Sequence, residues 1–198
     1  MDLYLIFVKV LLSFLIGAIP FAVVSMWGTG IDITKAGSRN PGFNNVLRMG
    51  YKGRALVTLA GDISKGYIAL LLLSKPGDPS VLLWGLGLAA VVGHCWNPFL
   101  RFKGGKGVAT TLGVLMFLDW KITLFCLPLY PLLRLFGRRL GWAQEGAISS
   151  MTTILVISTL VLALRGVAPG ILALVACAII VVRHSANIRE ILAKVTSD

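Results

Sequence analysis

Residues 102–111 combine exposed backbone amides with positive charge, the two features that a phosphate-binding turn requires. Glycines and lysines are interleaved there in the order Lys103, Gly104, Gly105, Lys106 and Gly107. An apolar run follows, so these glycines stand at a predicted helix N-terminus, where uncovered amides and the helix dipole attract anions. The order differs from a Walker A loop, because Gly107 follows Lys106 where that motif has serine or threonine. We predict a phosphate site here, with a flexible basic turn as the alternative.

A second polar segment, 37–48, offers hydrogen-bonding and cationic groups within one short stretch. Two glycines and a proline in it predict turns. Its neutral polar side chains are those of Ser38, Asn40, Asn44 and Asn45. Arg39 and Arg48 add guanidinium groups, which suit two-point contact with a phosphate. The segment is either part of an anion site or an ordinary polar turn whose arginines contact lipid head groups.

The third segment, 183–189, follows the last apolar run and contains His184, Asn187 and Arg189. A histidine at a helix C-terminus often only caps the helix. Taken alone, His184 is therefore more readily structural than catalytic. We expect it to contribute chemistry only together with the other two segments.

The composition places these segments in a membrane protein. Of the 198 residues, 57% are hydrophobic, which is more than a soluble fold of this length can bury. The net charge of +11 fits nucleic acid, anionic lipid or an anionic substrate. Nucleic acid is disfavoured, because the basic residues lie between hydrophobic runs and form no continuous basic face. The three cysteines lie far apart and have no metal-site or disulfide spacing.

The apolar runs predict an all-α integral membrane protein with seven short transmembrane helices. Five of the predicted spans are 3–27, 55–74, 80–100, 147–164 and 167–182. The run 108–135 is long for one helix and polar residues interrupt it midway, so we predict two short spans that turn near Asp119. The second of these is disturbed by Pro128 and Pro131. No repeat or linker is visible, and we predict a single domain over residues 1–198.

Basic residues decide the predicted orientation, since cytoplasmic loops are enriched in lysine and arginine. The loops after the first, third and fifth spans and the C-terminal tail are rich in them, whereas the alternate loops have Lys75, Lys121 and Arg165. Seven spans place the four basic segments on one side, but six would move two of them outside. We therefore predict an outside N-terminus, a cytoplasmic C-terminus and three polar segments that face the cytoplasm.

Asp62 and Lys65 lie three residues apart in the second predicted span and so share one face of its helix. An ionisable pair inside a membrane is either functional, for example by holding a cation of the loops in place, or a structural ion pair. His94 precedes the glycine-rich segment and is a third candidate for a supporting role.

Together the segments resemble the PlsY family of bacterial membrane enzymes, the acyl-phosphate:glycerol-3-phosphate acyltransferases. The residues that match its first motif, G-S-x-N-x-G-A-T-N-V-x-R, are Gly37, Ser38, Asn40, Gly42, Asn45, Val46 and Arg48. Those that match its second, G-H-x-x-P-x-F-x-x-F-K-G-G-K-G-V-A-T, are Gly93, His94, Phe99 and 102–110. Those that match its third, H-x-x-N-I-x-R, are His184, Asn187 and Ile188. The chain departs from the family at Phe43, Asn44 and Glu190, and Pro98 stands one place later than the family's proline.

This resemblance implies transfer of a fatty acyl group from acyl phosphate to the 1-hydroxyl of glycerol 3-phosphate. The products would be lysophosphatidic acid and phosphate, in the first acylation of phospholipid biosynthesis. The implied location is the bacterial cytoplasmic (inner) membrane, with lipid around the protein, the active site facing the cytoplasm and a functional link to the enzyme that forms acyl phosphate. No cofactor or metal is expected. No Ser-His-Asp or Cys-His set is visible, so we expect direct attack by the hydroxyl without an acyl-enzyme.

The resemblance also assigns roles to residues. The expected catalytic residues are Ser38, Lys106, His184 and Asn187. The expected substrate-binding residues are Asn40, Gly42, Asn45, Arg48, Lys103, Gly104, Gly105, Gly107 and Thr110. The expected supporting residues are Asp62, Lys65 and His94.

Three other functions remain open at this point. A transporter for a phosphorylated solute would also place cations near broken helices, but its site should lie near the membrane midplane. A nucleotide-dependent lipid transferase usually needs clustered carboxylates for a metal, and the cytoplasmic loops offer only Asp32. A non-catalytic scaffold that binds anionic lipid would tolerate rearrangement of the glycines.

Overall fold

The computed structural model describes residues 2–196, which form helices and connecting turns and contain no strand. In the first compact unit, which ends at Leu118, the helices are α1 (Leu3–Gly17), α2 (Phe21–Met26), α3 (Phe43–Arg48), α4 (Lys52–Leu73), α5 (Ser80–Cys95) and α6 (Val108–Leu118). In the second, which begins at Asp119, they are α7 (Trp120–Cys126), α8 (Leu129–Arg139), α9 (Glu145–Arg165), α10 (Val167–Arg183) and α11 (Ser185–Val195). A short 3-10 turn, Pro98–Leu100, follows α5.

In the first unit, α4 packs against all the other helices, and its contact with α6 is unusually close. A Cβ at Gly66 of α4 would overlap the carbonyl oxygen of Thr110 in α6, and one at Gly113 of α6 would overlap the carbonyl oxygen of Ile63. Small residues let helix backbones approach in this way, which is how apolar helices gain packing energy within lipid. The helix that follows the glycine-rich segment is thereby fixed against α4.

In the second unit, α9 packs against α7, α8 and α10. Asp119 begins α7 by accepting a hydrogen bond from the backbone N–H of Ile122 at 3.4 Å. The same carboxylate pairs with Arg165 at the end of α9, where Nη2 lies 3.1 Å from Oδ1. The Ser158 hydroxyl donates to the carbonyl oxygen of Ala173 at 3.0 Å and so joins α9 to α10.

Four helical segments are long and apolar enough to cross a membrane: Leu3–Met26, Lys52–Leu73, Ser80–Leu100 and Glu145–Arg165. They agree with four of the predicted spans. The pair α10 and α11, bent by 65°, forms a fifth candidate. The first segment is broken near Pro20, as α1 ends at Gly17 and α2 begins at Phe21.

The predicted interruptions of the run 108–135 are confirmed at Asp119 and Pro128 but not at Pro131. Asp119 separates α6 from α7, and Pro128 stands between α7 and α8, whereas Pro131 fits the first turn of α8, where no N–H is needed. Each of these helices has at most 11 residues. At about 1.5 Å per residue such a helix reaches about half of the roughly 30 Å hydrocarbon core. The seven-span count therefore stays a prediction.

The ion pair between Lys9 of α1 and Asp78, in the turn between α4 and α5, gives a pH-dependent contribution to stability. The Lys9 ammonium donates to Asp78 Oδ2 at 3.0 Å, and the Lys75 backbone N–H donates to the same oxygen at 2.9 Å. These hydrogen bonds, that from Lys9 above all, lower the pKa of the Asp78 carboxyl below its usual 3.8. Because this pKa is depressed in the folded state, the stabilisation is complete above about pH 4 and is lost as the pH falls through the lower folded-state value.

We expect Asp78→Asn to lower the thermal unfolding midpoint at neutral pH, because the neutral amide cannot replace the carboxylate beside Lys9. The deficit relative to the unmodified chain should shrink as the pH falls below about 4, because that carboxyl takes up a proton there in the unfolded chain first and then, at lower pH, in the folded protein. Unfolding in one detergent across the pH series measures this. A deficit of equal size at every pH would contradict the ion-pair interpretation.

Candidate active site

A buried cluster of charged and polar side chains lies in the first unit. The Lys65 ammonium is 2.8 Å from Asp62 Oδ1, and His94 Nδ1 is 3.5 Å from the same oxygen. Asp62, Lys65 and His94 are all buried. A charge in such surroundings is stable only when partners compensate it, and Asp62 has two. The predicted pairing of Asp62 with Lys65 is confirmed, and His94 joins it from the neighbouring helix.

Backbone carbonyl groups at the break between α1 and α2 accept hydrogen bonds from side chains of two other segments. The carbonyl oxygen of Ile19 accepts a hydrogen bond from the Lys65 ammonium at 2.9 Å, and that of Ala18 accepts one from Asn97 Nδ2 at 2.5 Å. Backbone groups freed within a membrane require such internal partners. Asn97 was not among the residues predicted from the sequence, although an asparagine before a proline is a known turn signal.

His94 supports the glycine-rich segment through its backbone and its ring. The backbone N–H of Gly105 donates to the carbonyl oxygen of His94 at 3.1 Å. A Cβ at Gly104 would overlap that carbonyl oxygen, and one at Gly105 would overlap the imidazole. Glycine is therefore required at both positions because the chain passes so close to His94.

The turn ends where α6 begins. Gly107 has a positive φ of 86°, and its carbonyl oxygen accepts the first hydrogen bond of the helix, from Thr111 at 2.8 Å. The backbone amides before α6 thus lie at the N-terminus of an 11-residue helix, as predicted. Lys103 is exposed and Lys106 is half-buried. Arg101 and Phe102 have left-handed backbone conformations, with φ of 52° and 61°, a strain of the kind found at binding turns.

Asn45 holds the first polar segment together. Its Oδ1 accepts from the Ser38 backbone N–H at 2.9 Å, and its Nδ2 donates to the carbonyl oxygens of Ile33 and Ala36 at 3.2 and 3.0 Å. The residue is buried, and its amide thus orders the turn before α3. Direct contact between Asn45 and a substrate stays a prediction.

Other predicted residues of this segment surround that turn. Ser38 and Arg48 are exposed, Asn40 and Gly42 are half-buried, and Arg48 lies in the last turn of α3. Thr110 is fully buried in α6, beside α4. Thr110 packs against α4 at Gly66. Its contact with a substrate stays a prediction.

The first two polar segments meet at a small polar pocket. Pro41 comes from the first segment and Gly105 from the second, and between them lie Asp62, Lys65 and His94. The cavity volume is about 10 Å³, which is close to the space that one water molecule needs. The structure thus brings together two segments that lie about sixty residues apart in the sequence.

The third segment lies in the second unit, where His184 separates α10 from α11. The buried imidazole places Nδ1 2.8 Å from the carbonyl oxygen of Ile180. A carbonyl oxygen can only accept, so Nδ1 carries the hydrogen and Nε2 of the neutral ring is a proton acceptor. Three residues further on, Asn187 Nδ2 donates to Gln144 Oε1 at 2.7 Å. Gln144 was not predicted from the sequence, because it is distant from Asn187 in the chain and belongs to no motif.

Substitution of Gly105 tests the support that His94 gives to the turn. A methyl group there would overlap the imidazole. We expect Gly105→Ala to lower the free energy of unfolding by about 1–3 kcal/mol, the usual effect of overpacking. Gly85→Ala, on the helix that carries His94, is the control: its Cβ would have no neighbour within 4 Å, and it should be neutral or stabilising by up to about 1 kcal/mol. Thermal unfolding compares the two, and equal effects would argue against the close contact.

Known proteins match this chain over nearly its whole length. The family model for glycerol-3-phosphate acyltransferase matches residues 7–194. The glycerol-3-phosphate acyltransferase of Aromatoleum aromaticum is 40% identical over 183 residues, which cover 92% of this chain and 90% of the relative. That of Neisseria meningitidis is 38% identical over 189 residues and covers 92% of each chain.

Solved structures give the same result. The glycerol 3-phosphate form of PlsY, an integral membrane glycerol 3-phosphate acyltransferase, has a TM-score of 0.83 and 31% identity, covering 96% of this chain and 92% of that one. The lysophosphatidic acid form of PlsY gives a TM-score of 0.82 at 32% identity, with the same coverage. These matches confirm the resemblance drawn from the three motifs. The chain is an integral membrane protein and belongs to the glycerol-3-phosphate acyltransferase family.

Proposed function

We propose that this protein transfers a fatty acyl group from acyl phosphate to the 1-hydroxyl of glycerol 3-phosphate, giving lysophosphatidic acid and inorganic phosphate. The observation that carries the proposal is the glycine turn before α6, which is held by His94 and contains two lysines. Such a turn suits an anionic head group. The forms of PlsY named for glycerol 3-phosphate and lysophosphatidic acid support the acceptor and the product.

The proposed reaction is a direct displacement. The glycerol hydroxyl oxygen attacks the acyl carbonyl carbon, a new ester bond forms, and the bond from that carbon to the phosphate oxygen breaks. The phosphate leaves with the bonding electron pair, and one of its oxygens takes the hydroxyl proton. Acyl phosphate is already activated, so the protein contributes mainly position and charge stabilisation.

Lys103, Lys106 and the amides of residues 104–107 would hold the acyl phosphate. Cations and amides aimed at the phosphate stabilise the charge that grows as it leaves, and loss of one such donor typically costs about 3–4 kcal/mol. Asn40, Gly42, Asn45 and Thr110 are further proposed substrate contacts, assigned to neither substrate in particular.

Ser38, Arg48, His184 and Asn187 would hold glycerol 3-phosphate. Arg48 suits the phosphate, because a guanidinium binds it at two points. Nε2 of His184 is an acceptor, so it suits the hydroxyl that loses a proton. We further propose that both compact units act as one acyltransferase domain.

In the membrane, we propose seven spans in a bacterial inner membrane, with the N-terminus outside, the C-terminus cytoplasmic and the reaction on the cytoplasmic side. The positive-inside pattern supports this orientation. The two spans predicted in the run 108–135 would then be built from the short helices α6, α7 and α8, none of which crosses the full depth of the membrane alone. The cytoplasmic side is also where an enzyme that forms acyl phosphate would supply the donor.

Lys106→Ala is the direct test of the phosphate turn. We expect kcat/KM to fall by about a hundredfold or more, because one charge-stabilising donor is lost. Purified protein is assayed with palmitoyl phosphate and radiolabelled glycerol 3-phosphate, and acyl-CoA and acyl carrier protein donors are compared in parallel. Lys52→Ala, which removes an exposed lysine at the start of α4, is the control and should leave the rate unchanged. Normal transfer by Lys106→Ala would contradict the proposed role of the phosphate turn. In a separate experiment, uptake of glycerol 3-phosphate into liposomes by the unmodified protein, without lipid product, would favour a transporter.

The orientation is tested by single cysteines at exposed positions. The three native cysteines are buried, so they should give little background. We expect Lys75→Cys to react in intact cells with a maleimide that does not cross membranes, and Lys35→Cys and Lys194→Cys to react only after lysis. Labelling of Lys35→Cys and Lys194→Cys on opposite sides of the membrane would refute the even number of spans predicted between them and, with it, the shared cytoplasmic site.

A further inference from the structure

Helix α8, in the second unit, has an open groove along one of its faces. The groove has a volume of about 370 Å³ and is lined by Leu132, Leu133, Leu135, Phe136 and Arg139. The side chains of Leu132, Leu135 and Phe136 are each more than half exposed. Four apolar side chains and one guanidinium thus give a groove that is apolar along its length and cationic at one end.

The groove follows the helical repeat of the sequence. Counted from Leu132, its exposed apolar side chains stand at positions i, i+3 and i+4, and Arg139 stands at i+7, so all four share one face of α8. Arg139 is the last residue of the helix and therefore lies at the end of this apolar stripe. A long basic side chain in such a place can cover apolar surface while its charged group reaches the lipid head groups.

The other two arginines of α8 are paired with a carboxylate. Glu145 Oε1 lies 3.5 Å from Arg134 Nε and 3.2 Å from Arg138 Nε. Within residues 2–196, Arg139 has no acidic partner of this kind. Three guanidinium groups and one carboxylate leave this part of the protein positively charged, and the charge of Arg139 is the one that lies on the apolar face.

Aromatic packing at the end of α8 indicates the depth of this arginine in the membrane. The ring of Trp142 packs edge-on against that of Phe136, with centroids 6.0 Å apart, and the Trp142 N–H donates to the carbonyl oxygen of Gly137 at 2.8 Å. Tryptophan is enriched where hydrocarbon meets head groups. Leu132 lies seven residues before Arg139, which is about 10 Å along the helix. The groove therefore runs from the head-group level into hydrocarbon.

We propose that this groove binds an anionic phospholipid of the surrounding bilayer, with an acyl chain on the apolar stripe and the phosphate on the Arg139 guanidinium. A guanidinium can bind a phosphate at two points. One cation balances the single charge of a phosphodiester such as that of phosphatidylglycerol, whereas a phosphomonoester such as that of lysophosphatidic acid carries about 1.5–2 charges at neutral pH. The inference needs only the membrane location of the chain and does not rest on the proposed acyl transfer.

Two arginine variants separate binding in the groove from general attraction of anions. Native mass spectrometry of the purified protein in detergent measures how much dioleoyl phosphatidylglycerol or dioleoyl phosphatidylcholine it retains. We expect Arg139→Gln to weaken binding of the phosphatidylglycerol about fivefold, the usual contribution of one basic residue near an anionic membrane surface. Arg138→Gln is the matched control: it removes the same charge from the next position, where the side chain faces Glu145, and should change binding little.

The apolar stripe is tested in the same titration. We expect Leu135→Ala to weaken phosphatidylglycerol binding by about twofold or more, because an acyl chain on a membrane protein is held mainly by van der Waals contact. Leu155→Ala is the control, since Leu155 is a leucine of similar exposure on α9 and does not line the groove. Thermal unfolding without added lipid shows that each variant keeps its fold.

Three results would overturn the proposal. Equal weakening by Arg139→Gln and Arg138→Gln would assign the binding to diffuse charge. Equal retention of phosphatidylglycerol and phosphatidylcholine by the unmodified protein would exclude recognition of the head group. Tighter retention of oleoyl lysophosphatidic acid than of phosphatidylglycerol, lost in Arg139→Gln, would make the reaction product the occupant. The readout is lipid binding, so failure here leaves the acyl transfer assay unaffected, and the reverse also holds.

Discussion

The first unit depends on the compensation of one buried carboxylate, that of Asp62. A charge among apolar helices is tolerated only when partners balance it, so the positions of Lys65 and His94 are tightly constrained. Lys65 also donates a hydrogen bond to the carbonyl oxygen of Ile19, at the break between α1 and α2. The carbonyl oxygen of His94 accepts a hydrogen bond from the glycine turn, at Gly105. The helix break, the long central helix and the turn before α6 are therefore fixed by a single electrostatic requirement.

Close helix packing provides the second constraint. Gly66 and Gly113 let α4 and α6 approach until backbone meets backbone, so the helix that begins at the glycine turn cannot shift relative to the helix that carries Asp62. In lipid, where apolar side chains gain little by leaving the solvent, such van der Waals contact is a main source of association energy. A turn that must present its amides to an anion gains rigidity from this packing.

The two units offer complementary chemistry for the proposed reaction. The first contains the glycine amides and most of the candidate cations, which suit phosphates. The second contains His184, whose Nδ1 is hydrogen-bonded to the Ile180 carbonyl, and Asn187, which donates to Gln144. Acyl transfer to a hydroxyl requires both kinds of group, since negative charge grows on the leaving phosphate while the attacking hydroxyl gives up a proton.

The sequence by itself determined the features that depend on neighbours in the chain: the main apolar spans, the interruption at Asp119, the glycine turn at a helix start and the Asp62–Lys65 pair three residues apart. Only the tertiary structure decided contacts across long separations, such as Asn97 on the Ala18 carbonyl, 79 residues away, and Gln144 on Asn187, 43 residues away. The tertiary structure also decided that the Asn45 amide bonds to the backbone of its own loop. The sequence could not, because an amide side chain can bond equally well to backbone and to a ligand. Local spacing sets periodicity and charge, but the partner of a polar group is set by which helices pack together.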